Sequence, residues 1–154
     1  MGEKGHKILH RPRRLRRNAA VRALVQETHI SVEDFIYPLF VMEGDGEPEL
    51  VPSMPNVNRH TISGLVRECE EAFSVGIRAV ALFPVVPIEL KDEQGTEALN
   101  SDCLVLRAVR ELKRVLPELM VITDVALDPY TSTGHDGILN EQRTDVDNDS
   151  TVEI

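Results

Sequence analysis

A chain of 154 residues is long enough for one ordinary domain with its own core. Its 42% hydrophobic and 28% charged content is that of a globular protein in water, and apolar runs such as 79–86 are far too short to span a bilayer. The net charge of −9 conceals an asymmetry, because Lys4, Lys7, Arg11, Arg13, Arg14, Arg16 and Arg17 crowd the start against Glu3 alone. No apolar core stands behind these charges, as a secretory signal requires, and the arginines run straight into folded-looking sequence. The expected location is the cytoplasm, or a plastid if a transit peptide has been removed.

The run RPRRLRR has two physical uses. It suits nucleic acid or anionic lipid, or it serves as an arm reaching an acidic neighbouring subunit. No aromatic residues interleave it for base stacking, and the rest of the chain is acidic. The arm is therefore favoured, and neither nucleic acid nor membrane is expected as a partner. A non-enzymatic chain that binds RNA, a membrane or a partner subunit through this arm is the rival to a catalytic role. Its RNA and membrane versions predict binding that weakens steeply with salt.

Residues 1–33 are assigned to the arm, with a short helix capped by Asn18 and running through Thr28, and residues 34–154 to a β/α domain. FIYPLFV at 35–41 predicts a buried strand weakened by Pro38. Residues 43–59 predict a loop. Residues 62–75 predict a helix with Leu65, Val66, Cys69, Ala72 and Phe73 at helical spacing and Gly76 as its C-cap. AVALFPV at 79–85 predicts a second strand ended by Pro84 and Pro87. A polar loop follows, then a helix with an apolar stripe (Val105, Ala108, Val109, Leu112, Val115, Leu116) that Pro117 stops. LMVITDVAL at 119–127 predicts a third strand. Cys69 and Cys103 lie in the predicted helices without metal-ligand spacing and read as small buried hydrophobes.

Uniformly apolar strands between amphipathic helices imply an α/β fold with a parallel sheet covered by helices on both faces. Right-handed crossovers leave an open doubly wound sheet or a (β/α)8 barrel. In either, chemistry belongs at the C-terminal ends of the strands. A barrel needs about 250 residues, so this chain would hold about three of its β/α units.

If the third strand persists, Asp124, Ala126 and Asp128 share one face. Gly134 and Gly137 then allow a loop that returns His135 or Asp136 over the strand end. Crowded carboxylates need a cation or a shared proton, and oxygen ligands favour Mg²⁺ over Zn²⁺. Spacing alone leaves simple turn chemistry at Asp128-Pro129 and Asp136-Gly137 open. Asp145, Asp147 and Asp149 have the spacing of a calcium-loop start, but Ser150 replaces its glycine, so they read as a solvated connection. NDSTVEI at 148–154 predicts the approach to a further strand.

RPRRLRRN, DFIYPLFV, VPSMP, ALFPVVP and VITDVALDPYTSTGHDGI, in this order, resemble the porphobilinogen synthase (δ-aminolevulinic acid dehydratase) family from Arg11 to Ile138. The resemblance implies the first part of a (β/α)8 TIM barrel with an extended N-terminal arm, assembled as a homo-octamer. It implies condensation of two 5-aminolevulinate molecules to porphobilinogen with loss of two waters, and no organic cofactor. It makes Asp124 the active-site aspartate. Zinc-dependent members carry cysteines where Ala126, Asp128 and Asp136 stand here, so the chain resembles the aspartate-rich type. Zn²⁺ is then disfavoured, and Asp128 and Asp136 would hold Mg²⁺ or a monovalent cation, or face the substrate without metal.

The family's two Schiff-base lysines belong to its second half. This chain has only Lys4, Lys7, Lys91 and Lys113. Lys91 follows the second strand but sits among Glu89, Asp92 and Glu93, which favour the charged amine over the nucleophile. The 154 residues alone are therefore expected to be inactive.

Overall fold

The computed structural model describes residues 12–152 and divides the chain into a unit ending at Ser31 and a second beginning at Val32. In the first, a 3₁₀ turn at Pro12–Arg16 precedes helix α1, Ala19–Leu24. Asn18 caps α1 as expected, its side chain accepting from Val21 N at 2.9 Å. The helix ends four residues before the expected Thr28, and Leu24 and Val25 are exposed rather than packed. A helix this short is marginal without a packed face, which accounts for its early end. Lys4, Lys7 and Arg11 lie outside the described residues.

The second unit is built on a five-stranded sheet: β1 (Ile36–Met42), β2 (Glu49–Leu50), β3 (Asn58–His60), β4 (Ala79–Val85) and β5 (Met120–Thr123), in the order β2-β3-β1-β4-β5. All neighbours are parallel except β2 with β3. The short β2 and β3 occupy the stretch expected to be loop, their two or three residues being too few for any period. Both strand prolines sit where a ladder donor is dispensable. β3 reaches only Phe40 and Val41, leaving Pro38 unpaired on that side. β5 pairs β4 only as far as Leu82, so Pro84 lies beyond it and within β4 rather than ending it.

Helix α2, Ile62–Ser74, starts at Thr61, whose hydroxyl accepts from Gly64 N at 3.3 Å. It stops at Gly76, φ +104°, where Gly76 N donates to Phe73 O and Ile77 N to Ala72 O. Helix α3, Leu104–Val115, buries Leu104, Val105, Ala108 and Leu112. Cys103 stands just before α3 rather than within it, and both cysteines are buried and unpaired. Arg107, Arg110 and Arg114 point outward to Glu43, Asp102 and Glu111, exposed pairs that add little stability. Lys113 donates to the carbonyls of Pro117 and Leu119, closing the α3 terminus.

The two helices cover one face of the sheet, not both. Leu39, Val41, Val80 and Leu82 pack with Leu65, Cys69, Leu104, Val105, Ala108 and Leu112 in a single core. Each fully buried leucine there contributes about 1.5–3 kcal/mol. The strand order advances in one direction, β1 to β4 to β5, so two right-handed crossovers must place α2 and α3 on the same side. A doubly wound sheet would reverse direction and split its helices; a barrel does not. On the other face, Ile36 and Met120 remain 55% and 61% exposed, and Phe40 meets Phe83 at a 6.0 Å centroid separation. That face is the one a closed barrel turns inward.

Residues 148–151 form one helical turn, α4 (Asn148–Thr151), and residues 153–154, where the approach to a further strand was expected to continue, lie outside the described residues. Asp147 caps it, accepting from Asp149 N and Ser150 N, while Asp145 accepts from Val146 N. Asp145 and Asp147 thus serve as turn and cap residues.

Candidate active site

β5 ends at Thr123, four residues short of the expected Leu127. Asp124, Val125 and Ala126 continue without ladder partners, and residues 127–130 turn, Leu127 O accepting from Tyr130 N and Thr131 N at 2.9 and 3.0 Å. Strand alternation therefore does not bring Asp124 and Asp128 together. The returning loop does. Asp136 reaches back so that its Oδ1 accepts from Leu127 N at 3.0 Å and Asp128 N at 3.1 Å. Asp124, Asp128 and Asp136 then line one cleft of about 900 Å³, with Leu127, Tyr130 and Cys103 among its walls.

His135 is exposed and is not among the residues lining that cleft; its backbone carbonyl accepts from Thr131 Oγ1 at 2.9 Å. Of the two residues expected to return, Asp136 is the one that closes on the strand end. Lys91 ends a 3₁₀ turn at Ile88–Leu90 and is likewise absent from the cleft lining.

Asp128 is held above the ordinary aspartate range, first by desolvation, then by the charge of Asp136 and a hydrogen bond shared with it, then by Asp124. The fold thus favours protonated Asp128. That contribution is fully present at pH below the ordinary aspartate value and is lost as pH rises through the raised one. Asp128→Asn is therefore expected to raise the melting temperature slightly at pH 7 and not at all in strong acid, read by thermal melts across pH. An equal gain at every pH would sever the link to charge.

Residues overlooked in the sequence reading also build the site. Tyr130 and Thr131 are 7% and 1% exposed, and Tyr130 is pushed up to about 12 by burial and by Cys103 and Glu97. The signal for them was faint: Tyr130 follows a proline, and nothing local marks Thr131 as buried.

A hard cation that retains most of its own waters needs only one or two carboxylates, and Asp128 with Asp136 offers that donor set. Among the described residues no three His, Cys, Asp or Glu side chains converge to hold a metal ion. Ala126 brings no ligand atom, and Cys103 is buried. The donors present fit Mg²⁺ rather than a thiolate zinc site.

A one-sided parallel β/α sheet whose strands advance in one direction is part of a barrel, a fold that carries its chemistry beyond the C-terminal strand ends, where these acids gather. The chain belongs to the delta-aminolevulinic acid dehydratase family, whose model matches residues 9–154. It is 44% identical over 148 residues to the delta-aminolevulinic acid dehydratase of Chlamydia pneumoniae, spanning 96% of this chain and 44% of that one. It is 48% identical to a chloroplastic relative from Arabidopsis thaliana over 94% of this chain and 34% of that one. The crystal structure of the Toxoplasma gondii enzyme, in complex with its product porphobilinogen, superposes with a TM-score of 0.89 at 46% identity, covering 95% of this chain and 41% of that one. This chain thus spans less than half the length of each of these relatives.

Proposed function

We propose that the chain supplies the acidic wall of a porphobilinogen synthase active site, where two 5-aminolevulinate molecules condense to porphobilinogen with loss of two waters. The observation that carries this reading is the gathering of Asp124, Asp128 and Asp136 in one cleft beyond β5, in a chain whose family match runs over residues 9–154. Asp124 is the group placed beside the reacting substrate, as an acceptor for the protons of its amine. Asp136, fixed by two backbone donors, orients the turn that carries Asp128. A cation at Asp128 and Asp136 would neutralise the crowded carboxylates and polarise a substrate oxygen.

The pair supports a reading of the protein as an aspartate-rich, non-zinc member of the family, with Mg²⁺ as the favoured ion and no organic cofactor. The nucleophilic lysines belong to β/α units outside these residues. The basic arm with exposed Leu15, Leu24 and Ile30 serves assembly, as a homo-octamer, rather than nucleic acid or membrane. No helix among the described residues is long and apolar enough to cross a membrane. The cytoplasm is the proposed location, or the plastid, as in relatives named chloroplastic.

The test joins this chain to the remaining β/α units of a relative. Chelation should lower porphobilinogen formation, and Mg²⁺ but not Zn²⁺ should restore it. Recovery with Zn²⁺ alone would overturn the aspartate-type assignment.

A further inference from the structure

Asp92 was read from sequence as one of the anions around Lys91 that favour its charged amine, yet the structure builds the neighbouring loop on it. Its Oδ1 accepts from Gln94 N and Thr96 N, both at 3.0 Å; its carboxyl is held below the ordinary range first by the Thr96 hydroxyl and then by the Thr96, Gln94 and Gly95 amides. The turn so formed ends in Gly95, φ +66°, pressed against the second loop. A Cβ on Gly95 would lie 3.4 Å from Leu127 Cδ2, 3.5 Å from Thr131 Cγ2 and 3.6 Å from Tyr130 Cβ. The Asp92 carbonyl accepts from Ser132 N at 2.7 Å, and Asp92 and Thr131 form a parallel bridge. Buried Thr131 then holds the His135 carbonyl at 2.9 Å, immediately before Asp136, whose carboxylate takes the Leu127 and Asp128 amides.

We propose that Asp92 is a positioning residue for the Asp128 and Asp136 pair, acting through the Gly95 turn and Thr131 without entering the cleft. Asp92 is not among the cleft residues, so its effect is mechanical. Its side chain shapes the loop after β4, that loop seats the turn after β5, and the seated turn presents two amides to Asp136. The same chain of bonds assigns Thr131 as the intermediate link. Asparagine retains the Oδ1 acceptor that the turn uses and alanine does not, so the two substitutions separate the acceptor from the charge. The inference deepens the active-site reading, because a positioned pair matters only if the pair serves a ligand.

The experiment uses the 154-residue chain and its Asp92→Ala, Asp92→Asn, Thr131→Val and Thr131→Ser variants. Amide proton shifts and exchange rates of Leu127 and Asp128 read their bonds to the Asp136 carboxylate, and amides of β4 and α3 serve as internal controls. In Asp92→Ala and Thr131→Val, both reporter amides should move upfield and exchange about tenfold faster, the loss of a charge-assisted bond, with the controls unchanged. Asp92→Asn and Thr131→Ser should restore the wild-type shifts. Unchanged reporters in the alanine variant, equal acceleration of the controls, or failure of asparagine to rescue would each overturn the proposal. None of these outcomes bears on turnover. A failed functional reading would instead show as a completed barrel that makes no porphobilinogen while the reporters behave as expected.

Discussion

Supplied with 5-aminolevulinate, the purified 154-residue chain should form no porphobilinogen, and borohydride should trap no lysine adduct on it. Imine formation needs a neutral amine in the barrel mouth. Lys113 spends its donors on the Pro117 and Leu119 carbonyls, on the opposite side of the core from the strand ends. Lys91 follows β4 on the correct side, but it lies between Leu90 and Asp92 and does not line the cleft. Lys4 and Lys7 lie outside the described residues. Intact mass after reduction checks this: a 5-aminolevulinate adduct that disappears in Lys91→Met would make Lys91 a nucleophile and refute the assignment of covalent chemistry to other β/α units. The chain joined to a relative's remaining units should by contrast trap substrate.

In that completed enzyme, Asp124→Asn should lower kcat by about 10²–10⁴ while KM changes little, the range expected when a positioned proton acceptor is removed. Asp124 is exposed beyond the end of β5 and lines the cleft with no hydrogen bond to hold it in a structural role among those described. The substitution is nearly isosteric, so the fold should keep its melting temperature. A loss confined to KM would mean that Asp124 binds substrate in ground and transition state alike, and an unchanged kcat would remove it from the chemistry. Asp128→Asn in the same background should lose metal dependence before it loses the fold, since desolvation and then the charge of Asp136 make the ionised Asp128 carboxyl costly to the folded state.

The open sheet face bears on how such experiments are run. Ile36, Met120 and Ile122 lie exposed on it, and the outer edge of β5 carries backbone groups with no strand partner among the described residues. Burial of that face against further β/α units would add stability that the isolated chain lacks. The functional assays therefore belong in the completed barrel, and the amide measurements at low temperature and low protein concentration.

Much of this protein was legible as one-dimensional pattern. Helices α2 and α3 lie within a residue or two of their apolar spacing because amphipathic period and terminal signals, Thr61 with Gly76 and Pro117, agree with the fold. β1 and β4 were found as continuous apolar runs because a parallel strand needs apolar residues on both faces. β2 and β3 were invisible, since so short a pairing is imposed by what β1 offers as an edge. β5 read as longer than it is because Asp124 to Leu127 keeps an apolar alternation after its neighbour β4 has stopped pairing at Leu82.

The candidate site divides in the same way. Asp124, Asp128 and Asp136 were identifiable from residue type, from their place after an apolar strand and from a motif in family order. What sequence alone determined was this inventory: a β/α chain, an acidic segment, no cysteine at positions 126, 128 or 136, and lysines at positions 4, 7, 91 and 113 alone. Tertiary structure decided that α2 and α3 share one face, because only the spatial order of strands sets the side of a right-handed crossover. It also decided how the acids meet. The reason is that Asp136 takes the Leu127 and Asp128 amides within a loop that is seated, through Thr131 and Ser132, against Asp92 and Gly95, which are distant in sequence.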